Sequence, residues 1–205
     1  YMAVWNEHPD RDEAWASEER SRVGEERFRR EHECEFLVFD ETLISSIKMA
    51  SLDGIEPIMK MGQCRWYKKI SPKNTYLVAL DPSLGTGGDP AGIQIIEIPS
   101  FKQVGEWHHN LTPVQGQVRV LRDICKYISE ECNSQNQQAS IYYSVENNTL
   151  GEAALISIAE YGEENIPGYF LSDNSVQGTS GRRFRKGFTT TNKSKIVACN
   201  KFKVL

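Results

Sequence analysis

No run of apolar residues in this 205-residue chain approaches the length of a membrane span, and no signal peptide opens it. Cysteine is scarce and unpaired. Cys34, Cys64, Cys125, Cys132 and Cys199 form no C-x-x-C pair, and their number is odd. That argues against a disulfide framework and for reduced thiols. Cys125 and Cys132 are seven apart in a helical stretch, so they share a face and read as small core residues. Acids are missing altogether after Asp173. From Asn174 to Leu205 there are eight Lys/Arg and no Asp or Glu, whereas residues 1–41 hold thirteen acids against six Lys/Arg. The formal net charge of −4 hides this basic end, which is a candidate contact for a polyanion. The chain begins on Tyr1, as a piece of a longer protein would, and no internal repeat is visible.

What is present centres on Thr75–Ile98. Tyr76-Leu77-Val78-Ala79-Leu80 is rich in strand formers and stops at Asp81. A loop with Gly85, Gly87, Gly88 and Asp89 follows, and Gly92–Ile98 returns as a second strand. An acid at the end of a buried strand costs desolvation free energy unless a cation compensates it. The loop has no Lys-Ser/Thr and leads into a strand, so it is not a P-loop, and its spacing is not that of an EF-hand.

The remaining elements read in order. Asp10 and Glu13 form a capping-box-like helix start after Pro9, and Gly24 divides the segment into two helices with sparse apolar points at Ala14, Trp15 and Phe28. Such a thin apolar face buries little alone, so packing on the main domain or on an outside partner is expected. Glu35–Ile44 reads as a connector and Ser45–Leu52 as a short helix or loop. Beyond the central pair come a strand at Val104–His109 and a helix at Val114–Glu131, with Val118, Leu121, Ile124, Cys125 and Ile128 at helical spacing. A strand at Ser140–Val145 ends in Glu146. Then follow a helix at Gly151–Tyr161, a short strand within Gly168–Leu171, a basic Gly/Ser-rich loop to Gly187, and a last helix from Thr191.

Three antiparallel strands, a crossover helix and a fourth strand parallel to the first make an α/β mixed sheet with helices on its faces. This is the element order of a ribonuclease H-like mixed sheet, with spatial strand order 3-2-1-4-5. It sets Asp81 and Glu146, at the ends of adjacent strands, side by side. Neighbouring carboxylates repel each other, and they become oxygen ligands once a hard cation is present. Asp81 and Glu146 are therefore candidate catalytic and metal-holding residues, with Asp89 across the glycine loop as an outer metal ligand. Two Mg²⁺ or Mn²⁺ ions in such a site can clamp an in-line displacement at a phosphodiester. His108 and His109 end a strand with no paired acid nearby and read as surface or core histidines.

The run Leu80–Asp89 resembles the first nuclease motif of the large terminase subunit of tailed bacteriophages, and Ser144–Asn148 resembles its second acidic motif. Phe28–Phe36 is similar to the segment that leaves the ATPase domain in that family, and Phe188–Lys195 to its Thr/basic stretch. The likeness is collinear over nearly the whole chain. It implies a ribonuclease H-like, metal-dependent endonuclease that cuts concatemeric viral DNA in the host cytoplasm during phage assembly. The implied partners are double-stranded DNA, the ATPase domain of the same protein, the portal and the small terminase subunit, with no membrane. It further implies a third acid on a later helix, which this chain does not contain. The expectation is a helical linker over 1–52 and most of a nuclease domain over 53–205.

Arg182, Arg183, Arg185 and Lys186, with Phe184 interleaved, and then Lys193 and Lys195 are the expected DNA contacts. Flexible basic loops suit phosphate contacts with little base reading. Two other readings stay open at this level: a DNA-gripping module without chemistry of its own, and half of an actin-like or sugar-kinase ATPase.

Overall fold

Seven strands form one sheet: β1 (Met59–Met61), β2 (Cys64–Trp66), β3 (Thr75–Asp81), β4 (Ala91–Ile98), β5 (Lys102–His109), β6 (Ser140–Val145) and β7 (Tyr169–Phe170). Their spatial order is β1-β2-β5-β4-β3-β6-β7. The pairs β3–β6 and β6–β7 are parallel and the others antiparallel. The structure, a computed structural model, describes residues 5–33, 44, 49, 51–172 and 186–204. It divides into two compact units, Tyr1–Asp53 with Val197–Leu205, and Gly54–Ile196. The sheet lies in the second.

The run β5-β4-β3-β6-β7 is the mixed α/β sheet of the ribonuclease H-like fold, in the expected order. The hairpin β1–β2 was not legible from sequence. Each of its strands has three residues, and the outer one is half-buried or exposed throughout, so no apolar periodicity marks it. It is held by pairing of Arg65 and Trp66 with Glu106 and Gly105 of β5.

Burial alternates along the central strands. Tyr76, Val78 and Leu80 of β3 and Ile141, Tyr143 and Val145 of β6 are almost fully buried. Their neighbours Leu77, Ala79 and Ser144 are only half-covered. Two helices, α3 (Val114–Asn133) and α4 (Gly151–Tyr161), supply Val118, Leu121, Ile124, Ile128, Ala154 and Ile158 to the core on the buried face. Each such aliphatic side chain contributes roughly 1.5–3 kcal/mol when fully buried. The other face carries small or polar residues such as Ala79 and Ser144 toward the strand ends. Cys64, Cys125 and Cys132 are buried and free. Burial pushes the Cys64 and Cys125 thiols up to about 12, which makes them inert packing groups.

In the first unit, α1 (Glu13–Val23) and α2 (Glu25–His32) flank Gly24, whose φ of 86° ends the first helix. The cap is Asp12, whose Oδ1 accepts from the Trp15 N–H at 2.8 Å; the expected cap at Asp10 lies two residues too early. Trp5, Ala16 and Phe28 close into a small core flanked by Trp15, so this segment buries its own aromatics. Ala14 is exposed. The connector expected over 35–43 and most of 45–50 lie outside the described residues. A last helix, α5 (Asn192–Val204), starts where Thr191 Oγ1 accepts from the Ser194 N–H at 3.1 Å.

One acid faces the buried side of β4. Glu97 is 4% exposed. Lys68 Nζ reaches both its oxygens at 2.7 and 2.8 Å, and Asn74 Nδ2 and Ser100 Oγ donate at 2.7 and 2.8 Å. The Lys68 contact first, and Ser100 and Asn74 after it, hold this carboxyl below its ordinary 4.5. A folded-state value below the unfolded one gives stability that is present above pH 4.5 and lost as the pH falls through the lowered value. Glu97→Gln is expected to lower the melting temperature at pH 7 and to flatten its fall below pH 4.5, read by calorimetry across pH. An unchanged acid slope would contradict this assignment.

Candidate active site

Asp81 is the last residue of β3 and Glu146 follows the last residue of β6. Leu80 pairs with Val145 in the parallel ladder, and the Glu146 N–H donates to the Leu80 carbonyl at 2.9 Å. The ladder thus delivers both acids to one end of neighbouring strands. Asp81 is exposed at the end of its strand, and the Glu146 carboxyl is close enough to perturb its titration. Both line a cleft of about 760 Å³ whose floor is Leu77, Ala79, Gly92 and Ser144, with Phe188 and Thr190 at its side. Loss of water pushes the Asp81 carboxyl up to about 6, and its hydrogen bond to Glu146 and the repulsion from that acid add to the shift.

The two asparagines after Glu146 fix its position. Asn148 Nδ2 donates to Glu146 Oε1 at 3.1 Å and to the Thr190 carbonyl at 3.0 Å. Asn147 is buried, donates to the Lys186 carbonyl at 2.7 Å, and accepts from Thr189 Oγ1 at 3.0 Å. A bridge between Glu146 and Phe188 extends the sheet over this segment, with the Phe188 N–H donating to the Val145 carbonyl at 2.9 Å. Gly151, at the start of α4, leaves room for the Glu146 backbone: a Cβ there would stand 1.9 Å from the Glu146 carbonyl oxygen.

Gln117 was missed by sequence reasoning. It is fully buried, and its amide clasps the loop after Asp81. Nε2 donates to the Ser83 and Thr112 carbonyls at 2.7 Å each, and Oε1 accepts from the Ser83 N–H at 3.2 Å. The signal was there: a polar residue on the apolar stripe Val114, Val118, Leu121 of α3. Gly85, at φ 71°, lies so close to Thr112 that a Cβ would fall 2.1 Å from its carbonyl oxygen. The loop after Asp81 is thus held at Ser83 and at Gly85.

The other expected residues are placed less centrally. Asp89 is exposed in the glycine loop. Among the described residues no three His, Cys, Asp or Glu side chains gather into a metal-holding group, so the site is a pair and Asp89 stands apart from it. Lys186 is ion-paired with Glu163 and lies 5.6 Å from the centre of the Phe170 ring. Lys193 and Lys195 are exposed on the first turn of α5. Arg182, Arg183 and Arg185 lie outside the described residues. His109 is hydrogen-bonded to Thr112 Oγ1 at 2.6 Å, and His108 is exposed.

No family model matches the chain. Among solved structures it is similar to the large terminase nuclease from thermophilic phage G20c with bound zinc, at 10% identity over 74% of this chain and 70% of that one, with a TM-score of 0.49. It is similar to the same nuclease with bound magnesium at 13% identity over 74% and 64% of the two chains, again at 0.49. The form named without a metal gives 14% identity over 74% and 64%, at 0.47. The chain thus spans just under two thirds of the length of two of these. At such identities and TM-scores the likeness does not identify which residues act.

The pair's own chemistry tests whether a cation fits. Its donors are carboxylate oxygens, the ligand type of hard divalent ions. An aspartate that holds its proton to about pH 6 against an ordinary 3.8, through loss of water first and the neighbouring acid after it, carries a cost that a cation would relieve. Because the folded-state value is raised, stability is fully present below pH 3.8 and lost as the pH rises through about 6. Asp81→Asn is therefore expected to raise the melting temperature of metal-free protein at pH 8 and to leave it unchanged near pH 3.5. Asn148→Ala is expected to weaken Mn²⁺ binding by about 10–100-fold, as loss of a ligand-orienting partner does. Titration calorimetry reads the second, and unaltered Mn²⁺ affinity would remove Asn148 from the site.

Proposed function

We propose that this chain is the nuclease domain of a phage DNA-packaging terminase and hydrolyses phosphodiester bonds of double-stranded DNA with the help of Mg²⁺ or Mn²⁺. The observation that carries the reading is the convergence of Asp81 and Glu146 at the open end of β3 and β6. The motif likeness around these acids favours DNA as the substrate and host cytoplasm as the setting. The ATPase domain of the same protein, the portal and the small terminase subunit are the corresponding partners.

Asp81 and Glu146 would hold the cation, two of them in the complete site. Divalent cations in such a site supply charge neutralisation at the phosphate and lower the pKa of attacking water. The residues of the chain do the positioning. Asn148 sets the rotamer of Glu146 and links it to the Thr190 backbone. Gln117 and Gly85 hold the turn after Asp81, so its carboxyl does not drift from its partner. The half-covered floor of Ala79, Gly92 and Ser144 leaves space over the pair for a phosphate backbone. Asp89, exposed in the loop, is left outside the inner ligand set.

Supercoiled plasmid incubated with Mn²⁺ tests the reading. The parent is expected to nick and linearise it, while Asp81→Asn and Glu146→Gln give no detectable cutting with the fold retained by circular dichroism. Cutting that survives both changes would overturn the proposal.

A further inference from the structure

Gly92 is a glycine that the fold does not require. Its φ lies outside the left-handed region, and a Cβ built on it meets nothing within 4 Å. Glycine inside a strand costs backbone entropy and packs nothing, and a β-branched residue would suit the strand better. Yet Gly92 pairs with Asp81 on one side and His108 on the other, so these three residues form one row across the sheet, on one face. The position beside the acid is bare backbone, open to close approach.

Past Gly92 the same face becomes basic. The next row runs Ser144, Ala79, Gln94, Glu106, Arg65, Lys60. Glu106 is answered by Tyr67 at 2.6 Å and by Arg65 Nη1 at 3.1 Å, which fixes the guanidinium in place. Around His108 the surface opens into a cleft of about 520 Å³ lined by Lys60, Gln63, Arg65, His108 and Asn110 among others. None of its lining residues, all among the described ones, is an acid. In a chain of net charge −4 this is a concentration of donors, of which Arg65 already shares its guanidinium with Glu106 at the cleft's edge. At about 4.8 Å between strands, His108 stands roughly 10 Å from Asp81, and Arg65, three strands over and two residues along, about 16 Å. A duplex advances about 3.4 Å per base pair along its axis, so that span is on the order of three to five base pairs.

We propose that the DNA strand being cut passes from the carboxylate pair over Gly92, and that its phosphates seat in the cleft of Lys60, Arg65 and His108. This rests on the nuclease reading above and adds a backbone track distinct from the basic residues of 182–195. It recognises phosphates and so tolerates any base sequence. Nothing in the protein's own packing requires a glycine at 92; its role is to let the backbone lie close to the sheet.

Duplex binding in Ca²⁺, followed by fluorescence anisotropy over a salt series, tests the track. Lys60→Gln with Arg65→Gln is expected to shallow the salt slope by about 2, at roughly 0.9 per phosphate contact. Gly92→Val is expected to keep or raise the melting temperature while weakening binding at least about tenfold, since only a ligand would meet the new side chain. In the Lys60→Gln, Arg65→Gln variant the Mg²⁺-induced rise in melting temperature is expected to persist, because both residues lie outside the cleft of the carboxylate pair. Parent-like affinity and slope in the variants would overturn the track. A parent that gains no stability from Mg²⁺ would instead overturn the nuclease reading on which it rests.

Discussion

Repulsion between two carboxylates is the constraint around which the rest of this structure is arranged. Asp81 and Glu146 sit at the ends of adjacent parallel strands because the β3–β6 ladder leaves no other place for them. In a metal-free chain loss of water, with the contact to Glu146 and its repulsion added, keeps a proton on Asp81 up to about pH 6. A divalent cation relieves the same repulsion by coordination. The fold therefore carries a local cost that only a ligand removes, as expected of a site kept for function rather than stability.

The surroundings make that cost sustainable. Three buried or half-buried amides do it, each joining a side chain to backbone. Gln117 ties the turn after Asp81 to α3, Asn147 ties the strand-like segment at Phe188 to β6, and Asn148 joins Glu146 to Thr190. Gly151 admits the Glu146 carbonyl where any larger residue would push it away. Together these contacts limit how far either carboxyl can retreat from the other. They also join the site to the segment at 186–190.

The central sheet was legible because burial leaves a periodic imprint. The alternation of Tyr76, Val78 and Leu80, and the helical stripe of Val118, Leu121, Ile124 and Ile128, each carry their own geometry. The pairing of Asp81 with Glu146 followed from strand order alone. The hairpin β1–β2 left no such imprint, since strands of three residues with exposed faces are stabilised by neighbours in space, not by pattern. The Asp12 cap was displaced by two residues because several acids near Pro9 offer the same chemistry, and only the Trp15 N–H selects one. Asp89 illustrates the limit of spacing arguments. A flexible glycine loop can carry an acid toward a site or away from it, and here it stands apart. The basic cleft at Lys60 and Arg65 was invisible because its residues come from strands that become neighbours only through the sheet order.

The proximity of the two acids can be read atom by atom. Side-chain carboxyl carbons of Asp81 and Glu146 can be followed by NMR from pH 3 to 9, with and without Mg²⁺. The account predicts that Asp81 titrates near pH 6 without the metal, that the Glu146 carboxyl carbon shifts with it, and that Mg²⁺ lowers the Asp81 midpoint. An Asp81 that titrates at its ordinary value and ignores both Glu146 and Mg²⁺ would contradict it.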